Sequence, residues 1–418
     1  MGKFKLGYGL GVLAAAILVL GGCAKVDSAK SKVNHPVTIT YWHRMTGSWN
    51  QAQQHMIEAF NASQSKYKVV AQSMGSYDAL QQKLMAAAKS KTLPTMAQAP
   101  NTNIGDYAKT GLITPFIFPQ KTLTQVYPSF LTGGQYQDKQ YGMPYSVSTQ
   151  VMFVNTDLVK QYHLTIPKTW NDVEKMGPAL AKSGVATIAL DASYDVALES
   201  MAHEAGSPLI TPAQKANLDN PKTLAQVDRL LALRKAGILS TAGSDGYFST
   251  AFFNKKAVFG IASSASIPVI QDQAPKSLHW TTTQIPSVNG SSQGVLNGNY
   301  NVVFKSASKT ERVGAAAFQK FLLKPKQAAY WAEKSGYVPV TPAAVQSDDY
   351  QSFLADHAGF KASVKASEDS FASTVFAGYG DYRNALLDTV DSTLTKNVSG
   401  DTAFKALQTK TEKILAEN

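Results

Sequence analysis

The chain has 418 residues, 44% of them hydrophobic, 10% aromatic and 17% charged, with a formal net charge of +11 and a single cysteine. At ~100–200 residues per domain that length allows two or three domains. Lysines are scattered singly among acids, the only arginines are Arg44, Arg229, Arg234, Arg312 and Arg383, and no basic stripe alternates with aromatics, which argues against a nucleic-acid partner.

The elements follow in chain order. Met1-Gly2-Lys3-Phe4-Lys5 is a basic start, and 10–20 are apolar apart from Gly11. That run is shorter than the ~20 residues a spanning helix needs. Followed by small residues, it reads as an export signal. The sole cysteine, Cys23, falls at the cut, in Leu20-Gly21-Gly22-Cys23. This pattern resembles the lipobox of bacterial lipoproteins, which implies removal of 1–22 and a diacyl anchor on Cys23. Two acyl chains hold a protein on a membrane where one does not. With no second cysteine there is no intramolecular disulfide, so stability rests on the core. Residues 23–36 are small, polar and lysine-rich, the composition of a flexible tether to the lipid anchor.

Alternation of Val37, Ile39 and Tyr41 with threonines predicts the first strand. A helix over 49–62, a strand over 67–72 and a helix capped by Ser76 follow, then a strand over 95–99 and a short helix over 104–109 ending at Gly111. Further on, 151–155 reads as a strand, and Thr169-Trp170-Asn171-Asp172 as the capping start of a helix reaching 182. A helix over 226–235, a buried strand over 257–262, a strand piece at Val302 and Val303, and a helix over 312–323 come next. Two helices, 384–395 and 402–415, close the chain. Repeated strand–helix alternation predicts an α/β fold with largely parallel sheets.

Several chemistries are not supported. The histidines are dispersed and no HExxH or paired Cys/His spacing exists, which argues against zinc. There is no GxxxxGK[ST] loop, no GxGxxG after a strand and no GxSxG elbow. No residue pattern proposes a nucleophile or a cofactor. The reading is therefore not an enzyme, with a surface hydrolase as the minor alternative.

A specific order of short motifs runs along the chain. It includes Tyr41-Trp42-His43-Arg44-Met45, Gly75-Ser76-Tyr77, Leu93-Pro94-Thr95-Met96 and Gly111-Leu112-Ile113-Thr114-Pro115-Phe116. It continues through Met143-Pro144-Tyr145-Ser146, Phe153-Val154-Asn155, Pro167-Lys168-Thr169-Trp170, Gly260-Ile261-Ala262-Ser263 and Gly336-Tyr337-Val338-Pro339. Together these resemble the extracellular solute-binding proteins of ABC importers, in particular those for glycerol 3-phosphate and glycerophosphodiesters. The resemblance implies a two-lobe, periplasmic-binding-protein-like α/β fold with several hinge crossings and a ligand cleft between the lobes. One lobe would hold 36–150 and 303–337, the other 151–302 and 338–418. It also implies a monomer that hands its ligand to permease subunits. With Cys23 acylated, the place is the outer face of the cell membrane, in a bacterium without an outer membrane.

Carried over position by position, the family's ligand-binding residues fall on Tyr77, Ser148, Ser263, Gly298, Tyr337 and Arg383. The family's acidic residue falls on Asn101, a neutral group that both donates and accepts, and Arg44 stands where relatives commonly have serine. In this reading Arg383 offers a planar fork to a phosphate and the hydroxyls complete its oxygen shell. The alternative for Arg383 is an ion pair with Asp381 or Asp388. A neutral sugar or oligosaccharide is the rival ligand.

Overall fold

The computed structural model describes residues 35–244, 246–396 and 398–417. Cys23, the signal expected at 1–22 and most of the expected tether lie outside the described residues. The folded unit, 36–418, is organised around two sheets.

The first sheet runs in the order Phe371–Ala372, Val295–Phe304, Met96–Pro100, Val37–His43, Tyr67–Ser73. Its early strands are parallel, with Val37 opposite Tyr67 and His43 opposite Ser73. Val295–Phe304 enters antiparallel to both Met96–Pro100 and Gly142–Ser148. The second sheet runs Leu239–Thr241, Ala186–Leu190, Ala257–Ser263, Gln150–Asn155, Trp280–Thr283. Thr149 alone separates the last strand residue of the first sheet from the first of the second.

Each sheet has its own core. Ile39, Tyr41, Met56, Phe60 and Phe318 pack on the first. In the second, successive side chains of Gln150–Asn155 point to opposite faces. Met152 and Val154 join Trp170, Ile188 and Phe259 on one side, and Val151 and Phe153 join Phe248, Phe252 and Tyr350 on the other. A sheet covered on both faces needs apolar residues at every position, which is why 257–262 reads as an unbroken apolar run.

Most expected elements form, with informative differences. The strand at Val302 and Val303 begins at Val295. Its first half hides polar side chains that apolar periodicity passes over. Asn301 is fully buried because its Oδ1 accepts from the Tyr41 hydroxyl at 2.7 Å and its Nδ2 donates to Gln319 Oε1 at 2.7 Å. The whole strand lies in the first sheet. The helix expected at 226 starts at Pro221, capped by Asn220, and the last two helices are Tyr379–Lys396 and Gly400–Glu417. Helix Tyr194–Glu204 has no counterpart in the sequence reading. It is buried on several sides, so no polar face marks its period.

The first-to-second-lobe connections are interleaved. Helix Pro325–Ser335 places Trp331 in the first core and Ala328 and Ala332 in the second sheet's outer core. Phe371 and Ala372 return to the first sheet before Tyr382, Leu386 and Phe404 pack on the second.

Candidate functional site

A cavity of about 600 Å³ opens where the carboxyl ends of strands from both sheets meet, at Pro100, Ser148, Leu190 and Ser263. Ligands of α/β sheets bind in that crevice, and the volume suits a small molecule. The first turns of four helices also face it, through Tyr77 and Asp78, Asn101 and Thr102, Val196 and Ala197, and Gly380 and Arg383. Free N–H groups and the positive ends of helix dipoles favour electron-rich oxygens there.

Of the residues carried over from the family, the cavity wall brings together Tyr77, Asn101, Ser148, Ser263, Gly298 and Arg383. Tyr77 is the first residue of helix Tyr77–Ser90, whose N-cap Ser76 Oγ accepts from the Ala79 N–H at 3.1 Å. Asn101 opens helix Asn101–Lys109 directly after strand residue Pro100 and is buried. The two serines are oriented differently. Ser148 donates its hydroxyl to the Asn297 carbonyl at 3.2 Å, so lone pairs are left to accept. Ser263 Oγ accepts from the Ala265 N–H at 3.2 Å, so its proton is left to donate. Gly298 lies against the backbone of the neighbouring strand: a Cβ there would collide with the Ser146 carbonyl oxygen and sit 2.8 Å from Val147 Cα. No side chain fits, and the backbone itself forms the wall.

Tyr337 is not on that wall. It follows Gly336, which ends helix Pro325–Ser335 at φ +74°, and it is buried. Its hydroxyl accepts from Arg44 Nη2 at 2.6 Å, and the Arg44 guanidinium lies 4.6 Å from the Tyr77 ring centre and 5.0 Å from that of Trp49. Tyr337 thus reaches the site through Arg44 and Tyr77. Trp331 stacks behind Tyr337 at 6.0 Å and 9°, and Tyr145 behind Trp331 at 4.9 Å.

Arg383 is already partnered. Its Nε lies 2.9 Å from Asp195 Oδ2, a side chain only 4% exposed, whereas Arg383 is 33% exposed. The ion pair is therefore with Asp195 on helix Tyr194–Glu204 rather than with Asp381 or Asp388. One helical turn on, half-buried Glu199 has its carboxyl pushed up to about 7 by burial, with Ser373 and Arg383 acting in the opposite direction. Burial also pushes Asp195 up, against the pull of Arg383. Sequence reasoning missed both acids; their i, i+4 spacing was the available signal.

The lining contains Asp78, Asp106, Asp191 and Asp381 against the single cation Arg383. Asp106 Oδ1 accepts from the Gly378 N–H at 2.6 Å and Asp191 Oδ1 from the Phe248 N–H at 2.8 Å, so both also brace loops. Tyr77 is the aromatic residue on the wall. Among the described residues no His, Cys, Asp and Glu cluster could hold a metal ion.

Two α/β lobes with a polar cleft at their strand ends define a ligand-binding receptor of the two-lobe class. The chain belongs to the family described as bacterial extracellular solute-binding protein, whose model matches residues 55–359. It is a binding protein of ABC import, not an enzyme. It is 25% identical over 382 residues to the sn-glycerol-3-phosphate-binding periplasmic protein UgpB of Shigella flexneri serotype 5b (strain 8401), covering 85% of this chain and 83% of that protein. The UgpB of Escherichia coli (strain K12) matches with the same identity and coverage. Among solved structures, the cyclic α-maltosyl-1,6-maltose binding protein of Arthrobacter globiformis superposes with a TM-score of 0.82 at 23% identity, over 92% of this chain and 100% of that one. UgpB of Mycobacterium tuberculosis in complex with glycerophosphocholine gives 0.79 at 19% identity, over 91% and 98%.

Proposed function

We propose that this receptor captures a glycerophosphodiester with a neutral or cationic head group and delivers it to an ABC permease. The observation that carries the reading is the charge pattern of the cleft. Arg383 is neutralised by Asp195, and carboxylates outnumber cations in the lining. A phosphate monoester such as glycerol 3-phosphate brings close to two negative charges into that field. A diester brings one, and a cationic head group such as choline offsets it against Asp78, Asp106 or Asp381. Ser148 as acceptor and Ser263 as donor suit glycerol hydroxyls. The UgpB relatives support the phosphorylated glycerol class.

A neutral oligosaccharide is the second reading, favoured by the same surplus of carboxylates, which accept from sugar hydroxyls. Against it stands the single aromatic wall residue, because sugar sites commonly stack rings on several aromatic faces. A thermal-shift and calorimetric panel of glycerol 3-phosphate, glycerophosphocholine, maltose and raffinose separates the readings, since a ligand that binds only the folded state stabilises it by mass action. Glycerophosphocholine is expected to bind tightest; a larger response to maltose or raffinose establishes the sugar reading instead.

The anchor belongs to the same proposal. A diacylated Cys23 with the 23–36 tether keeps a monomeric receptor near its permease on a cell without an outer membrane. Cys23→Ala is expected to move the protein from the membrane fraction into the medium. Retention of the variant on membranes refutes the anchor.

A further inference from the structure

We infer that Arg44, with the hydroxyls of Tyr77 and Tyr337, forms the subsite for the ligand's anionic oxygens, a task the sequence reading assigned to Arg383. The inference deepens the proposed function and rests on it for the identity of the ligand, though not for the subsite's preference for an oxyanion.

Four observations carry it. First, Arg44 is half-buried, and among the described residues no carboxylate pairs with it, whereas Arg383 is paired with Asp195. A cation held among aromatic rings without a counter-ion is costly, and an anionic ligand removes that cost. Second, the guanidinium is held in place. The Arg44 backbone N–H donates to Gln98 Oε1 at 3.2 Å, and the guanidinium carbon lies over the Tyr77 and Trp49 rings. Third, Arg44 Nη2 donates to the Tyr337 oxygen, so the Tyr337 proton is free to donate elsewhere, strengthened by the charge behind it. Tyr77 shares the same cation and lines the cavity. Fourth, polar atoms around this wall are unmet. Arg44 Nε and Ser146 Oγ are buried without a hydrogen-bond partner in the protein. Asn299 is fully buried, faces Ser146 across the strand pair and lies beside the Tyr77 hydroxyl.

The result is a cluster of N–H and O–H donors around one uncompensated charge. It lies behind Tyr77, its one member on the cavity wall, whereas Arg383 of the Asp195–Arg383 pair lines the cavity itself. The two sides then read different parts of one ligand: oxyanion at Arg44, and hydroxyl or cationic groups toward the carboxylates.

The test titrates wild type, Arg44→Gln, Tyr337→Phe and Arg383→Gln with dimethyl phosphate, its uncharged analogue trimethyl phosphate, and glycerophosphocholine. Wild type is expected to prefer dimethyl over trimethyl phosphate. Arg44→Gln should lose that preference and bind both dimethyl phosphate and glycerophosphocholine about 10- to 100-fold more weakly, the loss of a hydrogen bond to a charged group. Tyr337→Phe, which removes one oxygen, should weaken both about fivefold, and it keeps the test open if the Arg44 variant does not fold. Arg383→Gln should change dimethyl phosphate binding less than Arg44→Gln does. Equal charge preference in wild type and Arg44→Gln, a larger loss in Arg383→Gln, or no binding of dimethyl phosphate to wild type overturns the subsite. Binding of dimethyl phosphate but not glycerophosphocholine upholds the subsite and overturns the proposed ligand.

Discussion

Asp195→Asn is the most direct test of the charge argument. The substitution keeps the side-chain shape and removes the negative charge 2.9 Å from Arg383. A net positive charge is thereby added to the cleft. For a ligand charge ~8 Å away and an effective dielectric of ~40, between the ~20 of a protein site and the ~80 of water, the interaction is ~1 kcal/mol. That value applies because Arg383 is 33% exposed, so solvent screens it. A monoanionic diester should therefore bind about fivefold more tightly, and a dianion about thirtyfold. Stability should fall at the same time. Breaking a buried pair costs ~3–5 kcal/mol, and partial exposure of Arg383 brings the expected loss to ~2 kcal/mol. Calorimetry with glycerol 3-phosphate, glycerophosphocholine and maltose measures the first effect, urea unfolding the second. Unchanged affinity for both phosphates in a folded variant refutes the reasoning, as does an equal gain for maltose.

Other consequences follow from named contacts. Glu204 accepts from the Val288 N–H at 2.5 Å and the Gln293 N–H at 2.7 Å, pinning the loop between them. Glu204→Gln should cost ~1.5–3 kcal/mol, with faster amide exchange at Val288 and Gln293. Burial raises Glu199 to about 7 and Glu204 to about 6. Both are acids raised above their unfolded values, so the stability they contribute is full below pH ~4 and lost as pH rises through 6 to 7. Urea midpoints measured from pH 5 to pH 8 should fall on this account, and Glu199→Gln should flatten the fall. Gly298→Ala should destabilise by at least ~2 kcal/mol, because its Cβ meets strand backbone that cannot swing aside. A thermal midpoint equal to wild type would contradict that packing.

The legibility of the fold followed the physics of each segment. Where one face was buried, as in Val37–His43, alternation was plain in the sequence. Where capping was local, as at Thr169 and Asp172, the helix start was legible to the residue. Helix Tyr194–Glu204 was not, because burial around most of its surface erases the polar stripe. The part of Val295–Phe304 before Val302 was concealed by its asparagines, of which Asn301 finds its partners, Tyr41 and Gln319, only through the fold.

The same division holds for the site. Residues set by local order, such as Tyr77 after its Ser76 cap or Gly298 within its strand, could be singled out one at a time, because motif order along the chain is a one-dimensional signal. The partner of Arg383 could not. Its sequence neighbours Asp381 and Asp388 were the natural candidates, and the fold supplied Asp195 from another helix. Sequence by itself determined the strand–helix alternation and the residue types that reach the cleft, since these depend on neighbours along the chain. Only the tertiary structure decided which arginine keeps an unbalanced charge, because charge compensation is a matter of distance through space.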